Sequence, residues 1–345
     1  MGAAAPAQHC GPVRVAASGT VDSGPAQAGL VMSELTDFEH GITAVDTHYV
    51  RPQLDASHLI RHAGRAAFVD TGTTLSVPYL LAALEARGVA REAVDWVFLT
   101  HIHLDHAGGA GALLEALPNA RAVVHPRGAA HLVDPTILIA ATRQVYGDAL
   151  YEQLYGEIRP IPTERLVITR DGTELALAGR VFRFLHTPGH ALHHHVIHDP
   201  LADAVFSGDT FGIAYRELEV AGRPFLMPTT TPTQFDAVQL HASIDRVLAL
   251  RPAAVFLTHY SRVTDIARLG VELHAALDAY VGFAENHAAD PDPVAGIVAD
   301  MTAWAWNELD ARGHRADEAT RQALLADDIR LNADGLVAWL ARRKS

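Results

Sequence analysis

Short apolar runs alternating with helix-period stripes organise most of this chain. Segments 42–45, 48–50, 57–60, 66–69, 94–99 and 121–125 read as strands, brief, apolar and bounded by polar or turn residues. Between them, 77–87 carries Leu80, Leu81 and Leu84 at helical spacing and stops at Gly88. Residues 110–117 form a similar apolar helix behind Gly108-Gly109. From 126 to 165 the strand signal vanishes, and 129–133, 136–144 and 150–154 read as helices, so this stretch is a helical insertion. Strands return at 166–169, 173–177, 180–186, 193–198, 204–207 and 254–257, with Asp171-Gly172 as a hairpin turn. A long loop, 211–233, precedes a helix at 235–249. After His259 the pattern is helical throughout, at 265–287, 294–312, 316–326 and 335–343. Two sets of strands with helices between and around them predict two sheets packed face to face and covered by helices. The boundaries that follow are an arm at 1–31, a two-sheet unit at 32–264 and a helical C-terminal region at 265–345.

Composition narrows the partners. The 345 residues are long enough to bury a full core, and 49% hydrophobic with 19% charged residues is ordinary for a globular chain. No apolar run approaches the length that spans a bilayer, which argues against a membrane role. A net charge of −13 argues against a nucleic-acid partner, because phosphate binding needs a basic face. An anionic substrate stays open, since bound divalent cations invert the local field. Cys10 is the single cysteine, so there is neither a disulfide framework nor a thiolate metal site, which fits a cytoplasmic location. Residues 1–30, rich in Ala, Gly, Pro and Ser, lack the apolar core of a signal peptide and read as a disordered arm, with Met32 as an alternative start. A small molecule is the expected partner, and a homodimer stays open.

The 21 histidines change the picture most, because they cluster. Residues 100–109, Thr-His-Ile-His-Leu-Asp-His-Ala-Gly-Gly, place His101, His103, Asp105 and His106 between an apolar strand and a glycine turn. Imidazole and carboxylate bind zinc and other first-row divalent metals, and a strand-to-loop junction can aim alternate residues at two adjacent ions. Four further short strands end at a ligand-competent residue, in Val69-Asp70-Thr71-Gly72, His186-Thr187-Pro188-Gly189-His190, Ser207-Gly208-Asp209 and Thr258-His259-Tyr260. Loops at one end of a sheet sandwich converge on a common surface.

The motif Thr-His-Ile-His-Leu-Asp-His, with His190, Asp209 and His259, resembles the metallo-β-lactamase-fold metallo-hydrolase superfamily over about residues 42–262. The resemblance implies an α/β fold, a four-layer αβ/βα sandwich, here with a helical insertion and a helical C-terminal appendage. It implies that His101, His103 and His190 hold one metal, that Asp105, His106 and His259 hold a second, and that Asp209 bridges them. Two divalent ions are implied, zinc first, with iron or manganese as alternatives. Asp209 and the lack of a ligand cysteine resemble the glyoxalase II and lactonase-like branches, although the C-terminal residues show no match to glyoxalase II substrate-binding residues.

Such a ligand set favours a metal-bound hydroxide as nucleophile, because zinc lowers a bound water's pKa to about 7. The expected reaction is hydrolysis of a small ester, lactone or thioester, with Asp105 passing a proton and Tyr260 donating to an oxyanion. Asp70 is expected to orient a ligand imidazole through its free N–H, and His186 to support the ligands. His193, His194 and His195 are expected to pack and hydrogen-bond on a strand. Arg127, with Tyr146, Tyr151 and Tyr155, and Phe211, Tyr215 and Phe225, with Arg216 and Met227, are candidates for the substrate pocket. A different class, a mononuclear iron oxidoreductase resembling the sulfur dioxygenases of this fold, is the alternative.

Overall fold

The computed structural model describes residues 34–231 and 234–344, so the expected arm at 1–31 lies outside the described residues. The first sheet contains β1 (Leu35–Asp37), β2 (Ile42–Asp46), β3 (Ala56–His62), β4 (Arg65–Val69), β5 (Val94–Phe98), β6 (Arg121–Val124) and β7 (Leu166–Ile168), hydrogen-bonded in that order. Strands β4 to β7 run parallel, and each crossover is helical. Helix α1 (Val77–Ala86) joins β4 to β5, while α2 (Leu104–Ala107) and α3 (Ala110–Ala116) join β5 to β6. The insertion between β6 and β7 is α4 (Pro126–Val133), α5 (Thr136–Tyr146) and α6 (Asp148–Tyr155).

The second sheet starts with β8 (Thr173–Leu177), β9 (Arg180–His186), β10 (His195–Asp199) and β11 (Ala204–Gly208). A short pair, β12 (Ile213–Ala214) and β13 (Leu226–Met227), precedes α7 (Ala237–Leu250), which crosses to β14 (Ala254–Leu257) and β15 (Ser261–Val263). The chain ends in α8 (Ile266–Asn286), α9 (Pro293–Ala311) and α10 (Glu318–Lys344). None of the described helices is long and apolar enough to cross a membrane.

Period-two alternation sorts the strand residues into layers. On β4, Ala67 and Val69 meet Phe182, Phe184 and Phe206 between the sheets, while Ala66 and Phe68 pack outward against α1 and α3. On the second sheet, Phe206 and Phe256 point inward, whereas Val205, Val255 and Leu257 face α7 to α10. The result has the two face-to-face sheets the patterning predicts and is the four-layer αβ/βα sandwich the resemblance implies. The C-terminal helices share one apolar core with the second sheet, including Leu273, Met301, Leu325 and Trp339.

Three local expectations are corrected. Residues 48–50 are not a strand, because the Asp46 carboxylate accepts from the backbone N–H groups of His48 and Gln53, each at 2.9 Å, and turns the chain. The segment 193–198 becomes strand only at His195, leaving His193 and His194 in a turn. The expected pair of helices at 316–326 and 335–343 is the single helix α10. Its mid-helix Gly335 is no break: a Cβ there would sit 1.6 Å from the Thr230 carbonyl oxygen, so only glycine lets helix and loop touch.

Candidate metal centre

Every residue of the candidate centre sits just past the carboxyl end of a strand. Asp70 follows β4, the His101–His106 stretch follows β5, His190 follows β9, Asp209 follows β11 and His259 follows β14. Extended backbone through His101 and His103 sends both rings to one point, and the single turn of α2 then carries Asp105 and His106 to a neighbouring one. Gly189, at φ +132°, lies against α7, where a Cβ would come within 2.3 Å of the Leu240 nitrogen.

Three groups of ligand atoms lie within 4.8 Å of one another, namely His101–His103–His190, His101–His106–Asp209 and Asp105–His106–His259. In the first, His103 Nδ1 is 2.9 Å from His101 Nε2 and 3.0 Å from His190 Nε2. In the last, His259 Nε2 is 3.3 Å from His106 Nε2 and 3.5 Å from Asp105 Oδ2. Asp209 lies between them, its Oδ1 3.1 Å from His106 Nε2 and its Oδ2 3.4 Å from His190 Nε2. The centre is buried except at His103 and Asp105, which are partly open.

The protonation pattern fits a cation. Burial and the neighbouring imidazoles hold His101 well below the usual range and His103 down to about 3, so these rings are neutral and their lone pairs converge. Burial also pulls on His106 and His259, but the carboxylates of Asp209 and Asp105 outweigh it, raising His106 well above the usual range and His259 to about 9. Asp209 Oδ1 is buried without a partner in hydrogen-bond geometry, an atom a metal would satisfy. Converging neutral imidazoles with orphaned carboxylate oxygen are a donor set for divalent metal.

The supporting contacts are well defined. Asp70 Oδ2 lies 2.9 Å from His106 Nδ1 and accepts from the hydroxyls of Thr100 and Thr258 at 2.8 Å each, while Oδ1 accepts from the Thr100 N–H. One buried carboxylate therefore ties together three strand ends and one ring. The Leu54 carbonyl lies 3.1 Å from His259 Nδ1, and the Thr229 hydroxyl 2.8 Å from His190 Nδ1. Thr230, next in the chain, is held by Asn332 of α10, whose side-chain oxygen accepts from the Thr230 N–H and hydroxyl. His194 receives the Asp209 N–H at 3.2 Å, and His195 Nε2 approaches the Leu99 carbonyl at 2.7 Å, so this run braces the loops.

A family model described as the metallo-beta-lactamase superfamily matches residues 52–259, more than half of the chain, and ends on His259. The chain belongs to the metallo-beta-lactamase superfamily. Within this superfamily it is similar to a metallo-beta-lactamase fold-containing protein of Sulfurisphaera tokodaii, at 28% identity over 49% of this chain and 61% of the relative. It is also similar to hydroxyacylglutathione hydrolases of Aeromonas hydrophila, at 30% identity over 56% of this chain and 55% of the relative, and of Acidiphilium cryptum, at 30% over 68% and 77%. The chain thus spans under two thirds of the first two relatives. Among solved structures, a metallo-beta-lactamase family protein of Thermus thermophilus shares the fold with a TM-score of 0.62 at 18% identity, covering 88% of this chain and 94% of that one.

Other expected residues lie elsewhere. Tyr260 is buried against Ala44 and Ala56, and its hydroxyl has no hydrogen-bond partner among the described residues. The cause is local: past His259 the chain turns into β15, and the next side chain packs on the first sheet. The His186 ring stacks on His125 at 4.7 Å, and its backbone bonds Asp171 and Arg246, so it meets none of the candidate ligands. Arg127 is exposed in the first turn of α4. Phe211, Tyr215 and Phe225 are fully buried in the core shared with the C-terminal helices, and are corrected from pocket to packing residues.

Sequence reasoning missed what surrounds the metal-binding side chains. Tyr49, in the loop after β2, approaches Tyr155 hydroxyl to hydroxyl at 2.9 Å, and Tyr146 packs on Tyr155. Burial raises all three phenols, with the Asp105 charge a smaller cause, so they stay protonated. Asp55 is buried, with its pKa pushed up to about 7 by burial, in the field of His259 and His106. Asp328 of α10 accepts from the Tyr215 hydroxyl at 2.6 Å and also feels His259 and Asp105. Tyr146 and Tyr155 were among the pocket candidates of the insertion; no signal in the chain marks Tyr49, Asp55 or Asp328.

Proposed function

We propose that this chain is a metal-dependent hydrolase that cleaves a small ester, lactone or thioester with two divalent ions, zinc in the first instance. The observation that carries the reading is Asp209 standing between two three-ligand groups, one oxygen toward each. His101, His103 and His190 would hold one ion, and Asp105, His106 and His259 the other, with Asp209 between. Bound there, the ions supply a water activated near neutral pH and polarise the substrate carbonyl.

The protein's own groups do the rest. Asp70 and Thr229 hold His106 and His190 by Nδ1 and so present Nε2 of each ring inward. Asp105, ionised and partly open, is placed to take a proton from the attacking water on its carboxylate and return it to the leaving oxygen or sulfur. The hydroxyls of Tyr49, Tyr146 and Tyr155, kept protonated by burial, donate to substrate oxygens and exclude water. The similarity to hydroxyacylglutathione hydrolases supports the thioester member of this substrate class.

The test is metal content per chain on protein purified without added metal, followed by a panel of esters, lactones and thioesters. Two divalent ions and turnover of one panel class are the expected result. One iron per chain, with oxygen uptake on thiol substrates and no hydrolysis, would replace this reading with the dioxygenase one.

A further inference from the structure

Helices α7 and α8 carry the same spacing, His241 with Asp245 on one and His274 with Asp278 on the other, each pair one helical turn apart and so on one face. The pairs cross between helices. His241 Nε2 lies 3.2 Å from Asp278 Oδ1, and His274 Nε2 lies 3.1 Å from Asp245 Oδ1. The two Nδ1 atoms face each other at 2.7 Å, with the ring planes 7° apart.

A neutral imidazole has one N–H, and each of these can direct it from Nε2 to its carboxylate. Both Nδ1 atoms then present lone pairs to the same point, which is repulsive unless a cation sits there. Among the described residues, ring nitrogens of two histidines approach in this way at three other contacts, His101–His103, His103–His190 and His106–His259, all inside the candidate metal centre. A carboxylate behind each imidazole is the usual support of a metal-binding histidine, since it fixes the tautomer and raises the basicity of the inner nitrogen.

We propose that His241 and His274 bind one divalent transition-metal ion of the imidazole-preferring class, zinc, copper or nickel, as a site separate from the Asp209 centre. The rings are about a quarter exposed, at 28% and 24%, so they can part to the spacing of about 3 Å that two zinc–nitrogen bonds of about 2.0–2.1 Å require. Asp245 and Asp278, 70% and 75% exposed, support the rings from the Nε2 side. The site is a clamp rather than a reaction centre. It pins α7, whose Ser243 hydroxyl donates to the Pro188 carbonyl beside Gly189 and His190.

The experiment compares full-length protein with the His241→Ala/His274→Ala double variant, both saturated with Zn2+ and freed of loose metal, by titration against a competing chelator. The wild type is expected to hold one more zinc equivalent than the variant, with micromolar affinity. Asp245→Asn with Asp278→Asn is expected to weaken that equivalent about 10–100-fold. A His274→Gln variant, polar and helix-compatible, repeats the comparison if the double variant folds poorly. Equal stoichiometry and affinity in wild type and variants would overturn the proposal and leave a proton shared between the rings. The readout is the difference between the proteins, so it stands whether or not the Asp209 centre holds two ions.

Discussion

The first ligand group, His101, His103 and His190, is imidazole alone, whereas Asp105, His106 and His259 mix a carboxylate with two imidazoles. Burial acts on both, but only the second has anionic neighbours strong enough to reverse it. The rings of the first are therefore neutral while those of the second hold protons, with His259 up at about 9 and His103 down at about 3. The supports differ as well. His106 and His259 lean on the loops after β2, β4 and β14, through Asp70 and the Leu54 carbonyl, whereas His190 depends on Thr229 and, behind it, on Asn332 and Gly335 of α10. Two halves of one centre can thus be perturbed separately, one from the loops after β2, β4 and β14 and one from the C-terminal helix.

Asp209 is what the halves share, and its removal is expected to have the largest effect. Asp209→Ala should lower hydrolysis by about 10³-fold or more and reduce metal content, measured by elemental analysis alongside turnover. Retention of two ions and full activity would show that the halves are not joined there. Asp70→Asn should weaken only the ion of the second group, by about 10–100-fold, in a chelator competition. Equal weakening of both ions would mean that Asp70 braces the whole loop cluster.

Gly335→Ala sharpens the comparison from the other side. The added Cβ has to displace the Thr230 carbonyl, so the variant should lose roughly 1–3 kcal/mol of stability and loosen the His190 ion before the His259 one. Thermal melting and metal analysis read the two effects. Acid separates the halves without mutation. In the metal-free chain His259 binds a proton below about pH 9, and a metal must displace it, while the first-group rings are held below the usual imidazole range, His103 at about 3. Binding at pH 7 should release protons, seen as a buffer-dependent heat in calorimetry, and the second ion should leave first between pH 8 and pH 6. The smallest change belongs to Tyr260→Phe. With no partner for its hydroxyl among the described residues, that variant should keep turnover within about twofold, and a loss of about 10²-fold or more would make Tyr260 an oxyanion donor.

Legibility followed the kind of constraint. Strands β8, β9 and β14 were readable to the residue, because β8 and β9 alternate between an inner and an outer face and β14 is an unbroken buried apolar run. The ligand types were readable because few side chains bind divalent metal and they fell at strand ends. The aromatic residues of the 211–233 loop were misplaced for a physical reason: Phe211, Tyr215 and Phe225 look alike in sequence whether they line a pocket or fill a core. The roles of Asn332 and Gly335 were not readable, because their partner is a loop about 100 residues earlier.

By itself the sequence determined the layer pattern, the helical insertion, the metal-competent residues and the acidic balance, all of which are properties of local spacing and side-chain chemistry. The tertiary structure alone decided which nitrogen of each histidine faces the centre, which rings carry protons, and that α10 reaches the His190 loop. It also decided that Asp55 and Asp328 lie in the field of His259, and that His241 meets His274. Those outcomes depend on distances between segments far apart in the chain, and a through-space field or contact leaves no period in the sequence that makes it.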